Sequence, residues 1–571
     1  MQIKNKELSH LFSQLALYFE IQGVPFKPQA FLKVKETLET LKEDVEKIYQ
    51  KEGFGGLENI PGVGKGIAGK IEEYLKTGEI QELQVYRKKM PVNIEELTLV
   101  EGIGPKMIKE LWEHLKIKNL EEFERAAKKG KIAKLPLFGE KKQQNILEAI
   151  SFLKKSQGRQ LLANIYPIAK KYEEELKESG LVKQAVVVGS LRRMKETVKD
   201  IDILVTTKEP KKAMDFFVDM IPHEKVLSKG KTRICLQSYE GFDVGIRVVM
   251  QEVFGAASWY FTGSKEHNVK IEALAKKKGF TLSERGLYKG KTLIPCATEE
   301  EVYKALGMQY TEPELREDQG EVEAALQRNL PTLIPYDALK GDLQVQTNWT
   351  DGKHSIEEMA KEAKKQGLEY IVITDHTTDL SIARGLDEKK LLLHAKEIDK
   401  VQKKVPGIKI LKGAEVNIRK DGALDIANEA LSKLDVVGVS VHSYFKMSKK
   451  DMTERIVRAM KNPHVDILFH PTGRVVKKRD AYQVDIDKII EVAKKTGTVL
   501  EVNGSSRMDL KDVYAAKAVQ AGVKLVIDSD AHHKDHFQFL KYGIAQARRG
   551  WVKESDVINT LSEKQLLTLL K

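Results

Sequence analysis

Cysteine and long hydrophobic runs are both scarce in this chain of 571 residues. Its two cysteines, Cys235 and Cys296, have no partner at metal-binding spacing, which favours two inert buried thiols in a reduced, cytoplasmic setting. No apolar run reaches the roughly 18 residues that a spanning helix needs, so no membrane segment is expected. The N-terminus is amphipathic and lacks the charged start and apolar block of a signal peptide, so none is expected there.

Charged residues, by contrast, are abundant. Lys and Arg number 96 against 83 Asp and Glu, which gives a net charge of +13 and a pI near 9.1. A basic balance favours polyanionic partners, chiefly nucleic acid, although lysine-rich surfaces also serve solubility. The hydrophobic share of 41% is ordinary for soluble globular domains, and the length predicts several of them.

The patterning of the chain changes along its length. Residues 1 to about 155 carry apolar residues at helical spacing, whereas residues 160–320 mix predicted strands and helices. Residues 311–335 are polar and proline-flanked, as is typical of an interdomain linker with a short helix. From residue 336 strands and helices alternate, which predicts a barrel-like α/β domain with its chemistry at the carboxyl ends of the strands. The predicted strands there are 370–374, 408–411, 436–441, 467–469, 499–502 and 525–527.

A Gly-Ser turn precedes two alternating aspartates in the middle of the chain. Asp200 and Asp202 are two residues apart on a predicted strand, so their carboxylates share a face. Asp243 lies in another β-rich run and is predicted to complete the site. Such carboxylates are costly to leave unpaired, and two Mg²⁺ ions about 3.5–4 Å apart would neutralise them. With Gly189 and Ser190 facing the phosphates, the pattern predicts nucleotidyl transfer, whereas an Asp-x-Asp alone is most often a solvated strand end.

Two glycine-rich segments in the helical region share the helix-hairpin-helix pattern. Each has two apolar residues three apart, then Gly-x-Gly and a predicted helix, and a degraded third copy covers residues 135–142. The glycines let backbone N–H groups approach a phosphate at a helix N-terminus, and a lysine adds sequence-independent charge. One such turn would usually be only a tight loop, but two with matching flanks predict binding to the DNA backbone. The predicted contacts are Gly62, Gly64 and Lys65 in the first segment and Gly102, Gly104 and Lys106 in the second.

Imidazoles and carboxylates recur at the predicted strand ends of the C-terminal region. A lone histidine there is usually structural, but four histidines with three acids in one domain are hard to explain by packing. Imidazole and carboxylate together suit Zn²⁺ or Mn²⁺. His533 and His536 lie just beyond the pattern and are predicted to be surface residues. The predicted metal ligands are Asp351, His376, Glu415, His442, His470, Asp530 and His532.

Taken together, these segments resemble DNA polymerase family X in its bacterial and archaeal form, in which a polymerase-and-histidinol-phosphatase (PHP) domain follows the polymerase. The first glycine-rich segment is similar to the lyase domain of DNA polymerase β, and residues 189–202 are similar to the palm signature. Residues 260–264 resemble the motif that supports the sugar and base of the incoming nucleotide, and residues 279–288 resemble the segment that follows that motif in the family. The resemblance implies a multidomain α+β and α/β fold with a lyase-like helical domain (1–90), a helix-hairpin-helix domain (91–155), a palm (156–255), a thumb (256–318), a linker (319–335) and a distorted PHP barrel (336–571).

The resemblance also implies roles for individual palm and thumb residues. The aspartates would bind Mg²⁺ or Mn²⁺, while a serine and an arginine hold the triphosphate by charge-assisted hydrogen bonds. Two aromatic residues would pack beside the deoxyribose, for which core packing is the alternative, and an asparagine would contact the base or minor groove. The residues concerned are Asp200, Asp202, Asp243, Gly189, Ser190, Arg193, Tyr260, Phe261, Gly263 and Asn268.

In the lyase-like domain the resemblance is less complete. Lys70 falls on the Schiff-base lysine of the family, which would attack an abasic-site sugar, and Lys27 falls on a contact to the 5′-phosphate. A solvated helix lysine is the alternative for Lys70. Gly66 stands where a phosphate-binding lysine is expected and Phe31 where a tyrosine is, so 5′-phosphate binding is better supported than lyase chemistry.

For the C-terminal domain the resemblance implies a trinuclear phosphoesterase site that acts as a 3′→5′ exonuclease and sometimes cleaves at abasic sites. Glu415 would bridge metal ions, and Arg474 would meet the phosphate. The chain departs here from the family motif Asp-Leu-His-x-His, because Gln344 and Gln346 stand in place of both histidines after Asp342. An amide oxygen is a poor substitute for imidazole on Zn²⁺ or Mn²⁺. We therefore expect the site to bind metal but to hydrolyse weakly.

The sequence thus predicts a DNA-directed DNA polymerase that fills short gaps in base excision repair, with a weakened exonuclease behind it. Its expected partners are gapped or primer–template DNA and deoxynucleoside triphosphates, with no membrane, and a monomer in the cytoplasm at the nucleoid is expected. One alternative is template-independent nucleotidyl transfer, against which the hairpin motifs and residues 260–264 argue. A second alternative is a polymerase with a purely structural PHP domain. A third is a DNA-binding scaffold whose catalysis has decayed, against which Asp200, Asp202 and Asp243 argue in the polymerase half.

Overall fold

A computed structural model of the chain describes residues 3–41, 43–98, 100, 102–155, 158–380 and 383–570. Leu99 and Glu101 of the second hairpin motif lie outside these residues. Spatial proximity divides the chain into two compact units. The first comprises Met1–Gly158, Met214–Lys229 and Cys235–Asp243, and the second comprises Arg159–Ala213, Gly230–Ile234 and Val244–Lys571.

The N-terminal part of the first unit is helical, as its apolar spacing predicts, and its helices share one hydrophobic core. In both hairpin motifs the second glycine is the N-cap of the following helix, and the first has a positive φ, 84° at Gly62 and 79° at Gly102. Glycine adopts this conformation without steric cost. The helices are α1 (Ile3–Ile21), α2 (Lys27–Thr40), α3 (Val45–Glu58), α4 (Lys65–Thr77), α5 (Gln81–Lys89), α6 (Ile94–Thr98), α7 (Pro105–Leu115), α8 (Leu120–Lys128) and α9 (Glu140–Lys155).

Between residues 160 and 249 strands and helices mix, as predicted. The antiparallel pair of strands over Gln184–Val187 and Asp200–Thr206 belongs to the second unit, and the strand over Asp243–Val249 follows on the other side of the latter. The elements are β1 (Gln160–Leu161), α10 (Leu162–Glu178), β2 (Gln184–Val187), α11 (Gly189–Arg192), β3 (Thr197–Val198), β4 (Asp200–Thr206), α12 (Pro210–Met220), β5 (His223–Lys229), β6 (Arg233–Ser238) and β7 (Asp243–Val249).

The next segment of the second unit packs two helices against a small antiparallel sheet. The predicted linker contains the expected short helix, and its Val322 and Ala325 join the core of this subdomain instead of lying in solvent. Its elements are α13 (Phe254–Thr262), α14 (Lys265–Lys277), β8 (Phe280–Ser283), β9 (Gly286–Lys289), β10 (Thr292–Ile294), α15 (Glu299–Ala305) and α16 (Glu321–Leu326).

The C-terminal domain is a parallel sheet of seven described strands in sequential order that nearly closes on itself. Val345 of the first strand forms an isolated parallel bridge with Ala531, which follows the last. Helices cover the outside, so the strands are buried on both faces and read as apolar runs. The strands are β11 (Gly341–Val345), β12 (Tyr370–Ile373), β13 (Lys409–Asn417), β14 (Val436–Ser440), β15 (Ile467–Leu468), β16 (Val499–Asn503) and β17 (Leu525–Asp528).

Helices alternate with these strands, which confirms the predicted α/β rhythm. They are α17 (Ile356–Lys365), α18 (Glu388–Lys404), α19 (Asn428–Leu431), α20 (Lys449–Met460), α21 (Ile486–Thr496), α22 (Asp512–Gln520), α23 (Leu540–Arg549) and α24 (Glu563–Leu570). Among the residues that the structure describes, no helix has both the length and the apolar character to cross a membrane.

Candidate active sites

The two alternating aspartates lie on one face of β4. Ile201 and Ile203 are buried on the opposite face, so Asp200 and Asp202 point towards solvent. Gly245 of β7 lies so close to them that an added Cβ would come within 2.8 Å of Asp202 Oδ1. The strand pair therefore needs a residue without a side chain at position 245 to leave room for this carboxylate.

The Gly-Ser turn adjoins this strand directly. The backbone N–H of Val188 donates to the backbone oxygen of Asp202 at 2.9 Å, and Gly189 has a φ of +73°. The turn leads into the short helix α11, on which Ser190 is half-buried. Asp243 is the first residue of β7 and is also half-buried. The turn and both β4 aspartates thus lie together as predicted, while the convergence of Asp243 on them stays a prediction.

Arg193 is held by contacts that the sequence did not reveal. Its Nε donates to Glu317 at 2.9 Å, and its guanidinium also donates to the backbone oxygen of Thr262. Burial alone would raise the pKa of Glu317, but Arg549, Arg193 and Lys195 lower it to about 2. The Arg193 guanidinium therefore connects the turn at residues 262–264 with Glu317, whose carboxylate is its counter-ion.

The aromatic residues of the predicted sugar-binding motif are in contact with each other. Tyr260 and Phe261 pack edge to face with ring centroids 5.3 Å apart, and the Arg247 guanidinium lies 4.4 Å from the Phe261 ring. Asn268 is buried and donates to the Tyr260 backbone oxygen at 2.7 Å, so its amide fixes the end of α13. Gly263 lies next to the guanidinium of Arg193, 3.1 Å from where a Cβ would stand.

In the C-terminal domain the predicted ligands converge at the carboxyl ends of the strands. Glu415 lies at the centre, because its carboxylate is 3.4 Å from His376 Nδ1, 3.2 Å from His442 Nε2 and 2.9 Å from His470 Nε2. Asp351 is 3.6 Å from His376 and 3.5 Å from His532. Two sets of ligand atoms, Asp351–His376–His532 and His376–Glu415–His442, each lie within 4.8 Å of one another.

Several buried acids around this cluster escaped the sequence interpretation. Burial and neighbouring carboxylates raise the pKa of Glu501 and that of Asp528 well above the ordinary range. Burial lowers the pKa of His470 to about 4, with Arg507 adding to the effect, and leaves its Nδ1 without a described partner. Crowded carboxylates beside deprotonated imidazoles fit divalent cations. The sequence does carry one signal for these buried acids, which is an acidic residue inside an otherwise apolar strand, as at Glu501.

The two glutamines occupy buried positions inside this cluster. Gln346 Nε2 donates to Glu415 Oε2 at 2.9 Å, and Gln344 Oε1 accepts from Asn503 at 3.1 Å. Gln346 Oε1 and Gln344 Nε2 have no hydrogen-bond partner among the described residues. The amide of Gln346 thus places an N–H donor against the carboxylate of Glu415. An imidazole nitrogen at this position would instead offer a lone pair to a metal ion.

Arg474 was predicted to contact a phosphate, but in the structure its guanidinium is paired with a carboxylate. Its guanidinium pairs with Glu196 of the palm at 2.6 Å and also donates to the Met508 backbone oxygen. Arg507 is the arginine at the metal-ligand cluster, 3.2 Å from Asp530. His536 is half-buried rather than fully exposed, and its Nδ1 accepts from the backbone N–H of His532 at 3.2 Å.

In the first unit the predicted lyase residues share one carboxylate. Lys70 forms a close ion pair with Glu82, and Lys27 Nζ lies 3.7 Å from the other oxygen of Glu82 and 4.7 Å from the Phe19 ring. Phe31 is buried in the helical core. The structure therefore brings the two lysines together, although they are far apart in sequence.

The hairpin residues have the exposure that phosphate contact requires. Lys65 and Lys106 are exposed in the first turns of α4 and α7. An added Cβ at Gly64, Gly102 or Gly104 would meet no described atom within 4 Å, so these backbones are open to a ligand.

A nucleotidyltransferase joined to a PHP-type metal-binding domain is the class of protein that this fold and these sites define. Family models match along the chain: a helix-hairpin-helix domain at residues 3–80, a SAM-like helix-hairpin-helix tandem at 94–151, a nucleotidyltransferase domain at 169–253, a DNA polymerase beta thumb at 257–317 and a PHP domain at 342–505. The chain is 35% identical to the DNA polymerase/3'-5' exonuclease PolX of Bacillus subtilis over 99% of both chains. It belongs to family X of the DNA polymerases, in the form that carries a C-terminal PHP domain.

Two further relatives each match part of the chain. DNA polymerase lambda of Rattus norvegicus is 26% identical over 55% of this chain and 56% of its own length. A probable phosphatase of Thermoanaerobacter sp. strain X514 is 33% identical over 36% of this chain and 84% of its own length. Membership of this family brings divalent-metal dependence to both halves.

Proposed function

We propose that this protein is a DNA-directed DNA polymerase that fills short gaps, as base excision repair requires. The observation that carries the proposal is the shared face of Asp200 and Asp202 beside the Gly-Ser turn and Arg193. The similarity to the Bacillus polymerase over 99% of both chains supports it. Gapped DNA and deoxynucleoside triphosphates are then the substrates. We further propose that the enzyme acts in the cytoplasm at the nucleoid and as a monomer.

In this mechanism the protein mainly positions charge and reactants. Mg²⁺ or Mn²⁺ held by the three aspartates would neutralise the transferring phosphoryl group. Ser190 and the Gly189 turn bind the triphosphate, and Arg193 donates hydrogen bonds to it. Tyr260 and Phe261 pack against the deoxyribose. The primer 3′-hydroxyl attacks the α-phosphate, and the bond to pyrophosphate breaks. Asp243 would accept the proton of the hydroxyl or hold the metal ion that lowers its pKa.

We propose that the PHP site binds Mn²⁺ or Zn²⁺ through its histidines and acids and retains a weakened 3′→5′ exonuclease, with cleavage at abasic sites as a related activity. Such cations would supply a hydroxide and polarise the phosphodiester. The hydrogen bond from Gln346 to Glu415 carries the proposal of weakened hydrolysis, because it occupies a Glu415 oxygen that would otherwise be free to bind a metal ion. Because Arg474 pairs with Glu196, we propose that Arg507, which lies 3.2 Å from Asp530, meets the phosphate instead.

A purely structural PHP domain is the second candidate for this half, and a specific contact favours it. Glu196 of the palm accepts from Arg474 at 2.6 Å and from Gln546 at 2.8 Å, so the PHP domain supports the loop between α11 and β3 whether or not it hydrolyses DNA. Template-independent nucleotidyl transfer remains the alternative for the palm. For the lyase-like domain we propose binding of a 5′-phosphate by Lys27 and Schiff-base chemistry at Lys70, both next to Glu82.

A labelled primer on gapped DNA with Mn²⁺, with and without triphosphates, tests these proposals. Extension that needs the template strand supports gap filling, and loss of extension in Asp202→Asn assigns it to the palm. Extension of a primer that has no template strand would favour the template-independent alternative. No extension with Mn²⁺, or with Mg²⁺ in a parallel reaction, would overturn the main proposal. Shortening without triphosphates reports the exonuclease, and an intact primer would favour a structural PHP domain.

A further inference from the structure

A fully buried histidine lies in the first turn of α14, just after the predicted nucleotide-binding motif. The Nδ1 atom of His267 lies 2.7 Å from Glu321 Oε1, and its Nε2 atom lies 3.0 Å from the hydroxyl of Tyr303. Glu321 is fully buried as well. A glutamate is almost never completely buried unless it is paired, so this contact is more than ordinary core packing.

The protonation of the His267 ring follows from its surroundings. Burial lowers the pKa of His267, and the carboxylate of Glu321 only partly offsets this effect. A neutral imidazole carries one proton, and a carboxylate accepts a hydrogen bond but cannot donate one. Nδ1–H therefore donates to Glu321, while Nε2 accepts from the hydroxyl of Tyr303. Both ring nitrogens are thus satisfied, and the imidazole is held in one orientation.

Glu321 also orders the turn that precedes α16. Its Oε1 accepts from the backbone N–H of Asp318 at 3.0 Å, and its Oε2 accepts from that of Gln319 at 2.7 Å. With the imidazole, three donors converge on one buried carboxylate, and such charge-assisted hydrogen bonds are stronger than neutral ones. The preceding residue, Glu317, is the counter-ion of Arg193. The position of the Glu317 carboxylate therefore depends on the turn that Glu321 orders.

The segment that carries His267 holds the Arg193 guanidinium from its other side. This guanidinium donates to the backbone oxygen of Thr262, and its Nε donates to Glu317 at 2.9 Å. Thr262 is only five residues from His267 in sequence. Arg193 is therefore held between two segments that the buried histidine joins, and this contact helps to fix their separation.

Other links between these two segments are of a different kind. The backbone N–H of Ser264 donates to the backbone oxygen of Arg316 at 3.0 Å, a bond that no side-chain substitution removes directly. Lys270 pairs with Asp318 at 2.5 Å and with Glu323 at 3.1 Å at the protein surface. Exposed ion pairs contribute little, because water and salt screen them, whereas a buried hydrogen bond to a carboxylate contributes more.

We infer that His267 is a positioning residue for the incoming nucleotide, which acts through Glu321 on the two segments that hold Arg193. The inference rests on the proposed function, in which Arg193 binds the triphosphate. No contact between the imidazole and the nucleotide is required. Loss of the Nδ1–H donor should let the turn that carries Glu317 move, and should therefore weaken nucleotide binding more than it slows the chemical step.

Single-nucleotide extension by the full-length protein on gapped DNA tests the inference. His267→Phe fills the same space without the donor, so we expect the KM for deoxynucleoside triphosphates to rise about tenfold with a smaller change in kcat. His267→Asn should restore most of the affinity, because its amide N–H takes the place of Nδ1–H. Glu321→Gln keeps the shape of the side chain without its charge and should also raise the KM, which provides a second test if the phenylalanine variant is unstable.

Two matched controls separate positioning from general stability. Lys270→Ala removes only the surface ion pairs between the same segments, and Tyr303→Phe removes the other hydrogen bond of the His267 ring. Both should leave the KM within about twofold of that of wild type. An unchanged KM in both His267→Phe and Glu321→Gln would overturn the inference, as would an equal rise in Tyr303→Phe.

A double-mutant cycle shows whether the effect passes through Arg193. In an Arg193→Ala background, His267→Phe should change the affinity for the triphosphate by less than about twofold, because the group that it positions is gone. Additive effects would overturn the inference. The affinity is measured with a labelled triphosphate on a primer that ends in a dideoxynucleotide, so that no extension is needed. Affinity that depends on His267 in a protein that never extends DNA would uphold the positioning role and refute gap filling, whereas no affinity in wild type would overturn both.

Discussion

Arg549 of the PHP domain donates through Nη1 to the backbone oxygen of Arg193 in the palm at 2.9 Å. The two arginines also share Glu317, at 3.1 Å from Arg549 and 2.9 Å from Arg193, and Lys195 completes this set, here called the Glu317 cluster. The proposed triphosphate-binding arginine is thus positioned by a residue more than 350 positions away in sequence. The PHP domain therefore contributes to the polymerase half even without chemistry of its own.

Removal of the PHP contact should weaken nucleotide binding. We expect Arg549→Ala to raise the KM for deoxynucleoside triphosphates about threefold to tenfold with a smaller change in kcat, because loss of one or two charged hydrogen bonds loosens Arg193. Steady-state single-nucleotide extension measures this. The neighbouring Arg548→Ala is the control, since Arg548 pairs with Glu314 and not with the Glu317 cluster. Equal effects of the two substitutions would show that only general stability had changed.

Protonation of Glu317 should remove this stabilisation at low pH. Its pKa of about 2 lies below the ordinary value of 4.5, so the folded state gains stability above pH 4.5 that is lost as the pH falls towards 2. The largest contribution is about 3 kcal/mol by linkage. We expect the Tm difference between wild type and Glu317→Gln to be greatest at neutral pH and to shrink below pH 4. A difference independent of pH would contradict the assignment.

A methyl group at position 245 should impair the polymerase without damage elsewhere. Because an added Cβ lies 2.8 Å from Asp202 Oδ1, Gly245→Ala should displace this carboxylate and reduce extension by about tenfold to a hundredfold. Gly230→Ala, where the nearest described atom is 3.4 Å away, is the matched control. Full activity of Gly245→Ala would argue that Asp202 does not need its present position.

Imidazole in place of the two amides should strengthen the PHP site. The double change Gln344→His and Gln346→His replaces the donor at Glu415 by lone pairs, so we expect tighter retention of Mn²⁺ or Zn²⁺ and faster primer shortening. Metal content after dialysis is the first readout and exonuclease rate the second. Gln546→His is the control for the effect of adding a histidine elsewhere in the domain, because Gln546 contacts Glu196 and lies outside the ligand cluster. Unchanged metal content would refute the role given to the glutamines.

Neutralisation of Glu82 should make Lys70 more reactive. An ion-paired ammonium has no lone pair for attack on an aldehyde, so Glu82→Gln should increase borohydride trapping of Lys70 on abasic-site DNA. Trapping should vanish in Lys70→Ala and persist in Lys65→Ala. Equal trapping by Lys70→Ala would move the chemistry to another residue.

Short local sequence patterns were sufficient to predict several features of the fold and of the candidate sites. The two-residue spacing of Asp200 and Asp202 determines a shared face on any strand, and the alternation after residue 336 determines a parallel sheet with ligands at one edge. Gly62 and Gly102 adopt the positive φ that their motifs require, since no distant contact is needed to enforce it.

Contacts between distant segments were decided only by the tertiary structure. Arg193, Glu317 and Arg549 meet because the PHP domain packs on the palm, and no local spacing records that meeting. The sequence interpretation assigned the phosphate to Arg474, but folding pairs Arg474 with Glu196 and places Arg507 beside Asp530. Side-chain direction and partner depend on packing across the domain, which sequence periodicity does not encode.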